Sequence, residues 1–256
     1  MPTPMTPTRK PLEQLPEIIL PTAPTPPNLN PSRLKILAYG DPKVGKSTWC
    51  ASIPNAIVAA TEPGLGALSA YQVPIGDWRD MKGFARKIIA GGHPFEIVIT
   101  DTLTNALTMC TSYVCQKLGI VHASDLDFGK GYEAIRDEFR MVWLALAARG
   151  YGLVFTAHTK QKEMKWDGGK YMKTVPNLTN KAHEFIGAWV DMTLYFTIEE
   201  SGAEGEVNYH RVIRSRATPQ YEAGDRYACL PDPMDMSWEA FASALEIYRQ
   251  RQQEDK

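Results

Sequence analysis

Residues 40–47 read Gly-Asp-Pro-Lys-Val-Gly-Lys-Ser. This GxxxxGK[ST] pattern constrains the chain more than any other feature. It follows an apolar segment, Leu34–Tyr39, that reads as a buried strand, and it opens a segment that reads as a helix. Strand, loop and helix in that order are the context in which the pattern binds phosphate. Gly40 and Gly45 let the backbone turn tightly. The loop residues Asp41, Pro42, Lys43 and Val44 carry the chain around, and the free N–H groups up to Ser47 and Thr48 converge with the helix N-terminus to supply positive potential. Lys46 is expected to reach the β- and γ-phosphates of a nucleoside triphosphate, and the Ser47 hydroxyl to ligate Mg2+.

The rest of the chain supports one domain of this kind. Pro and Thr dominate residues 1–33, which read as an extended or disordered, flexible arm with an apolar island at Leu15–Leu20. From residue 34 to 256, short apolar runs alternate with amphipathic stretches. Strands are expected at 56–61, 95–100 and 151–158, helices at 79–90, 103–118 and 133–148, and an antiparallel strand pair at 190–198 and 207–214. A last helix opens after Ser237. This alternation predicts an α/β fold, a mostly parallel sheet with helices on both faces. The net charge of −1 excludes a chain that is basic overall, so any nucleic-acid surface must be local. The four scattered cysteines show no zinc spacing and read as reduced thiols of a cytoplasmic protein. The longest clean apolar run, Met141–Ala148, is far too short to span a membrane.

A phosphate loop needs an acid near its magnesium. Asp101 ends the apolar run Phe95–Thr100 and fits that role. Glu62 follows the second strand in Ala-Ala-Thr-Glu-Pro-Gly, and His158 ends the fourth in Phe-Thr-Ala-His. Together with Gly-Ala-Trp-Val-Asp-Met-Thr-Leu-Tyr-Phe at 187–196, these motifs resemble the RecA-like ATPase core over about residues 34–216, in particular the phage-encoded RecA-like ATPases labelled as AAA-domain proteins, some of which are grouped with single-strand annealing recombinases. The resemblance implies ATP as the nucleotide, Glu62 as the residue that polarises the attacking water, and His158 as a sensor of the γ-phosphate. His158 departs from the Gln found at that point in RecA itself.

The resemblance also implies loops that contact single-stranded DNA. One is Gly119–Gly131, with Lys130. The other is Lys160–Lys181, where Lys162, Lys165, Lys170 and Lys173 interleave with Trp166 and Tyr171 in a predicted β-hairpin, a pattern suited to phosphate neutralisation and base stacking. In RecA-like assemblies the site lies between subunits, which makes Arg214 and Arg216 candidates for an arginine acting on a neighbour's γ-phosphate and implies a homo-oligomeric ring or filament. A single-strand-binding or replication protein is a further expected partner. Two other readings compete with a DNA-dependent ATPase. One is a nucleotide switch or helicase-loader-like adaptor acting on a protein. The other is a P-loop kinase, against which stands the absence of an arginine-rich lid after the core.

Overall fold

The computed structural model describes residues 19–166, 168–202 and 207–254. Apolar residues at strand spacing form a nine-stranded sheet. Its strands are β1 (Lys35–Gly40), β2 (Ala56–Ala60), β3 (Gln72–Pro74), β4 (Ile97–Asp101), β5 (Gly152–Ala157), β8 (Met192–Ser201), β9 (Asn208–Arg214), β10 (Gly224–Asp225) and β11 (Met234–Asp235). Between β5 and β8 the chain makes a separate hairpin, β6 (Thr159–Trp166) and β7 (Gly169–Pro176). The order across the sheet is β11-β9-β8-β1-β5-β4-β2-β3, with β10 pairing β8. The run from β8 to β3 is parallel, and β9, β10 and β11 are antiparallel additions. The sheet is therefore α/β and mostly parallel, as the alternation of segments predicts.

Helices cover both faces because β1 is apolar on both. Leu37 and Tyr39 enter the core under α2 (Trp78–Ala90), α3 (Leu103–Leu118), α4 (Lys130–Ala148) and α5 (Asn180–Trp189). Ile36 and Ala38 enter the opposite core, with α1 (Lys46–Ala51) and α6 (Trp238–Glu254). Trp49 of α1 is pinned edge-on by Phe196, Trp238 and Phe241, with ring centroids 5.5, 5.4 and 5.8 Å away. Each such pair adds about 0.5–1.5 kcal/mol beyond burial. This cluster holds the short helix behind the phosphate loop in place. Ser237 opens α6 as expected, its Oγ accepting from the Ala240 amide at 3.0 Å.

Several elements differ from the sequence expectation. The segment 119–131 is not an open loop: two 3-10 turns occupy it, and the Asp125 carboxylate accepts the amides of Val121 and His122. Gly129, at φ 72°, then starts α4 at Lys130, three residues ahead of the expected Glu133. The helix α5 carries little sequence signal, because Thr179 makes no side-chain cap. Edge strand β3 ends in Pro74, a residue that edges tolerate.

Packing reaches back into the expected arm. Leu29 is buried, the Asn30 side chain caps a turn at Pro31–Arg33, and Arg33 donates to the Gly150 carbonyl. Of the apolar island, Ile19 and Leu20 are exposed, while residues 15–18 lie outside the described residues.

All four cysteines are free thiols. Burial raises Cys50 well above the usual thiol range and pushes Cys229 up to about 12, so neither is primed as a nucleophile. Among the described residues no helix is long and apolar enough to cross a membrane.

Candidate functional site

The phosphate loop joins β1 to α1 and is built from backbone constraints. A Cβ on Gly40 would lie 2.4 Å from the Phe196 carbonyl of β8, so the close strand pairing admits only glycine there. Gly45 sits at φ +125°, a conformation that L side chains rarely adopt, and a Cβ on it would meet Met236 Sδ at 2.9 Å. Lys43 also takes a positive φ, 66°. The Lys46 side chain is buried and arches back over the loop, with Nζ donating to the carbonyls of Gly40 at 2.8 Å and Asp41 at 2.9 Å. Burial lowers its pKa, and the nearby carboxylates of Asp101, Glu62 and Asp41 oppose that fall.

The acids converge because their strands are neighbours. Order β1-β5-β4-β2 puts the loop, His158, Asp101 and Glu62 at the carboxyl ends of adjacent parallel strands, where open α/β sheets bind ligands. Asp101 is buried and both its oxygens are engaged. Ser47 Oγ donates to Oδ2 at 2.8 Å, and Thr156 Oγ1 donates to Oδ1. Glu62 Oε1 lies 3.5 Å from His158 Nε2, both side chains being about a third exposed. Thr61 Oγ1 donates to the Thr102 carbonyl and accepts the Thr102 amide, bracing the two strand ends that carry Glu62 and Asp101.

No group of three or more His, Cys, Asp or Glu that could hold a metal exists among the described residues. The donor set is one carboxylate and one hydroxyl, Asp101 and Ser47. That fits Mg2+, which keeps several waters and takes its remaining ligands from substrate phosphates.

The cavity over these residues is about 430 Å³ and is lined by Gly45, Lys46, Ser47, Glu62, Asp101 and His158, among others, together with Arg211. Arg211 is a site residue that the sequence reading passed over in favour of Arg214 and Arg216. The strand register explains the difference. Phe196 of β8 is level with Gly40 on one side and with Ile213 on the other. Because β9 runs against β1, stepping back to Arg211 advances to the level of the phosphate loop, whereas Arg214 falls level with Tyr39. Arg214 is already committed, its Nε 2.5 Å from Glu199 Oε1 and its Nη1 3.5 Å from Asp232 Oδ2. Burial works against its charge, but the Glu199 hydrogen bond holds its pKa above the ordinary value. These two ion pairs hold Arg214 against its own sheet edge. Arg216 is exposed, beyond the end of β9.

The profile of a family described as an AAA domain matches residues 32–227. The chain belongs to that family. The match takes in the phosphate loop, the acids and Arg211, and with the mostly parallel sheet it marks this AAA-domain protein as a P-loop ATPase. No curated protein matches it in sequence. Among solved structures it is similar to the flagellar accessory protein FlaH from Methanocaldococcus jannaschii, at 12% identity and TM-score 0.39, over 75% of this chain and 80% of that one. A KaiC-like protein from Pyrococcus horikoshii is similar at 11% identity and TM-score 0.39, over 73% of this chain and 80% of the other.

The AAA-domain protein carries its basic residues on the expected hairpin. The register places Lys162 opposite Lys173, Met164 opposite Tyr171 and Trp166 opposite Gly169, all on one face. Lys165 pairs with Lys170 on the other face, where Glu163 holds Lys170 at 3.0 Å. Trp166 is 67% exposed. The hairpin grows directly from the site: Thr159 follows His158, Thr159 Oγ1 donates to Asp41 of the phosphate loop, and the Asn177 amide donates to the His158 carbonyl at 2.7 Å. Lys130 stands apart from the hairpin at the start of α4, where Tyr132 lies under Lys181, 5.7 Å from ring centroid to Nζ.

Proposed function

We propose that this protein hydrolyses ATP with Mg2+ and couples hydrolysis to single-stranded DNA held on the β6–β7 hairpin. Ser47 and Asp101 would hold the ion, which would supply charge neutralisation to the phosphates. Lys46 and the loop amides orient the phosphates. Glu62 accepts a proton from the attacking water as the water oxygen bonds to the γ-phosphorus and the bond to the β–γ bridging oxygen breaks. His158 reports the γ-phosphate from the strand end beside it.

The observation that carries the DNA part of the reading is the continuity of His158 with the hairpin. His158, between the end of β5 and the start of β6, leads directly into a hairpin bearing Lys162, Lys173, Trp166 and Tyr171 on one face. Cations alternating with stacking surfaces suit a single strand, whose bases are free to stack. The reading extends to a cytoplasmic role in recombination, annealing or replication and to a homo-oligomer, with Arg216 an exposed arginine available to a neighbour.

The test is steady-state ATP hydrolysis with no nucleic acid, with single-stranded DNA and with duplex DNA, using Lys46→Ala as the blank. Stimulation by single strands is expected. Hydrolysis indifferent to every nucleic acid would refute the DNA part and favour a switch or adaptor acting on a protein partner.

A further inference from the structure

Arg211 approaches the phosphate loop from the flank opposite to the hydrolytic residues. In the sheet order β9-β8-β1-β5-β4-β2, the loop strand β1 stands between them. Glu62, Asp101 and His158 come from β2, β4 and the end of β5 on one side, and Arg211 comes from β9 on the other. The approach is close: Arg211 Cδ lies 3.8 Å from the point where a Cβ on Gly45 would stand. Strand alternation puts Arg211 on the face of Ile213, which packs in the α1/α6 core and so on the side where the loop enters α1. The arginine also lines the same cavity as Lys46 and Ser47.

We propose that Arg211 binds the nucleotide within its own subunit, contacting the α- and β-phosphates on the Gly45 side of the loop. This rests on the nucleotide site proposed above. Water attack and the breaking bond belong to the Glu62 side, so a cation on the far flank grips phosphate that ATP and ADP share. A guanidinium suits that task better than an ammonium, because its planar fork donates to two phosphate oxygens at once. Arg211 is therefore a binding residue, and its effect falls on affinity and KM with little change in kcat.

The test is equilibrium binding of ATP and of ADP to wild type, Arg211→Ala, Arg211→Lys and, as a control from the opposite face of β9, His210→Ala. Arg211→Ala is expected to weaken both nucleotides by roughly 10- to 100-fold, the range for a lost charge-assisted hydrogen bond, with Arg211→Lys recovering only part. Arg211 is exposed, so the variant should melt like wild type by circular dichroism. Unchanged affinity for both nucleotides would overturn the inference while leaving the phosphate loop in place. Weakened ATP with unchanged ADP would move the contact to the γ-phosphate and overturn it as well. Recovery of hydrolysis at ATP well below KM on mixing Arg211→Ala with Lys46→Ala subunits would show action across subunits, again against it. Wild type that binds neither nucleotide would sink the site itself.

Discussion

Replacing Lys162 and Lys173 together by alanine should lower both single-strand affinity and its salt dependence, and replacing Lys165 and Lys170 should not. The two pairs sit at similar places along one hairpin but on opposite faces. The Lys162/Lys173 face also carries Met164, Tyr171 and Trp166. The other face is partly self-neutralised, since Glu163 holds Lys170 at 3.0 Å. Each phosphate contact on a single strand contributes about 0.7 to the slope of log affinity against log salt. Losing two contacts should flatten the slope by up to about 1.4, or about sevenfold less loss of affinity between roughly 50 and 200 mM salt. The full value is an upper bound, because both lysines already feel Glu222. Burial would raise that carboxyl, but His183, Lys173 and Lys162 together hold it below its ordinary pKa. Fluorescence anisotropy of a labelled oligonucleotide across a salt series measures the slope directly. An unaltered slope in Lys162→Ala/Lys173→Ala, or equal flattening by the two double variants, would refute the assignment of the face.

Glu62→Gln should retain ATP binding and lose hydrolysis by orders of magnitude, since the amide keeps the shape but cannot take the proton; single-turnover phosphate release measures it, and a fully active variant would move the base elsewhere. Gly45→Ala should abolish nucleotide binding, because the new methyl meets Met236 Sδ at 2.9 Å and a φ of +125° is strained for alanine; calorimetric titration with ADP checks this. The pH dependence of binding follows from Lys46. Its pKa is lowered, so its charge is lost at a lower pH than that of an ordinary lysine. Affinity for ATP should accordingly fall as pH rises on the alkaline side, below the point where free lysine titrates, and the fall should be absent in Lys46→Arg, which stays charged.

Most of the fold could be read from the chain because the strands that build it are buried on both faces. Residues such as Ile36–Ala38 and Val98–Ile99 are apolar on both faces and suit a central strand of a parallel sheet. The elements missed are those whose form is decided by their surroundings. Helix α5 buries only Ala182 and Ile186 and has no side-chain cap to announce it. Strands β10 and β11, two residues each, exist only as additions to β8 and β9. Leu29 looked like part of a Pro-rich arm and is core, because a single apolar residue among prolines gives no periodicity to read.

The site divides along the same line. The phosphate-loop motif and its strand ends point to Gly40 to Thr48 and Asp101, the resemblance to the RecA-like core adds Glu62 and His158, and the sheet order brings them together. The arginines of β9 could not. Alternation shows that Arg211 and Arg214 point to opposite faces, but which one meets the phosphate loop depends on the level of β9 against β1, two strands away. Phe196 supplies that level, pairing Gly40 on one side and Ile213 on the other. A shift of one residue in the β8–β9 register would reverse every face and carry Arg211 off the loop flank. The ion pairs of Arg214 with Glu199 and Asp232 work against such a shift, since moving the strand would break both. Arg214 thus braces the register that sets Arg211 beside the phosphate loop.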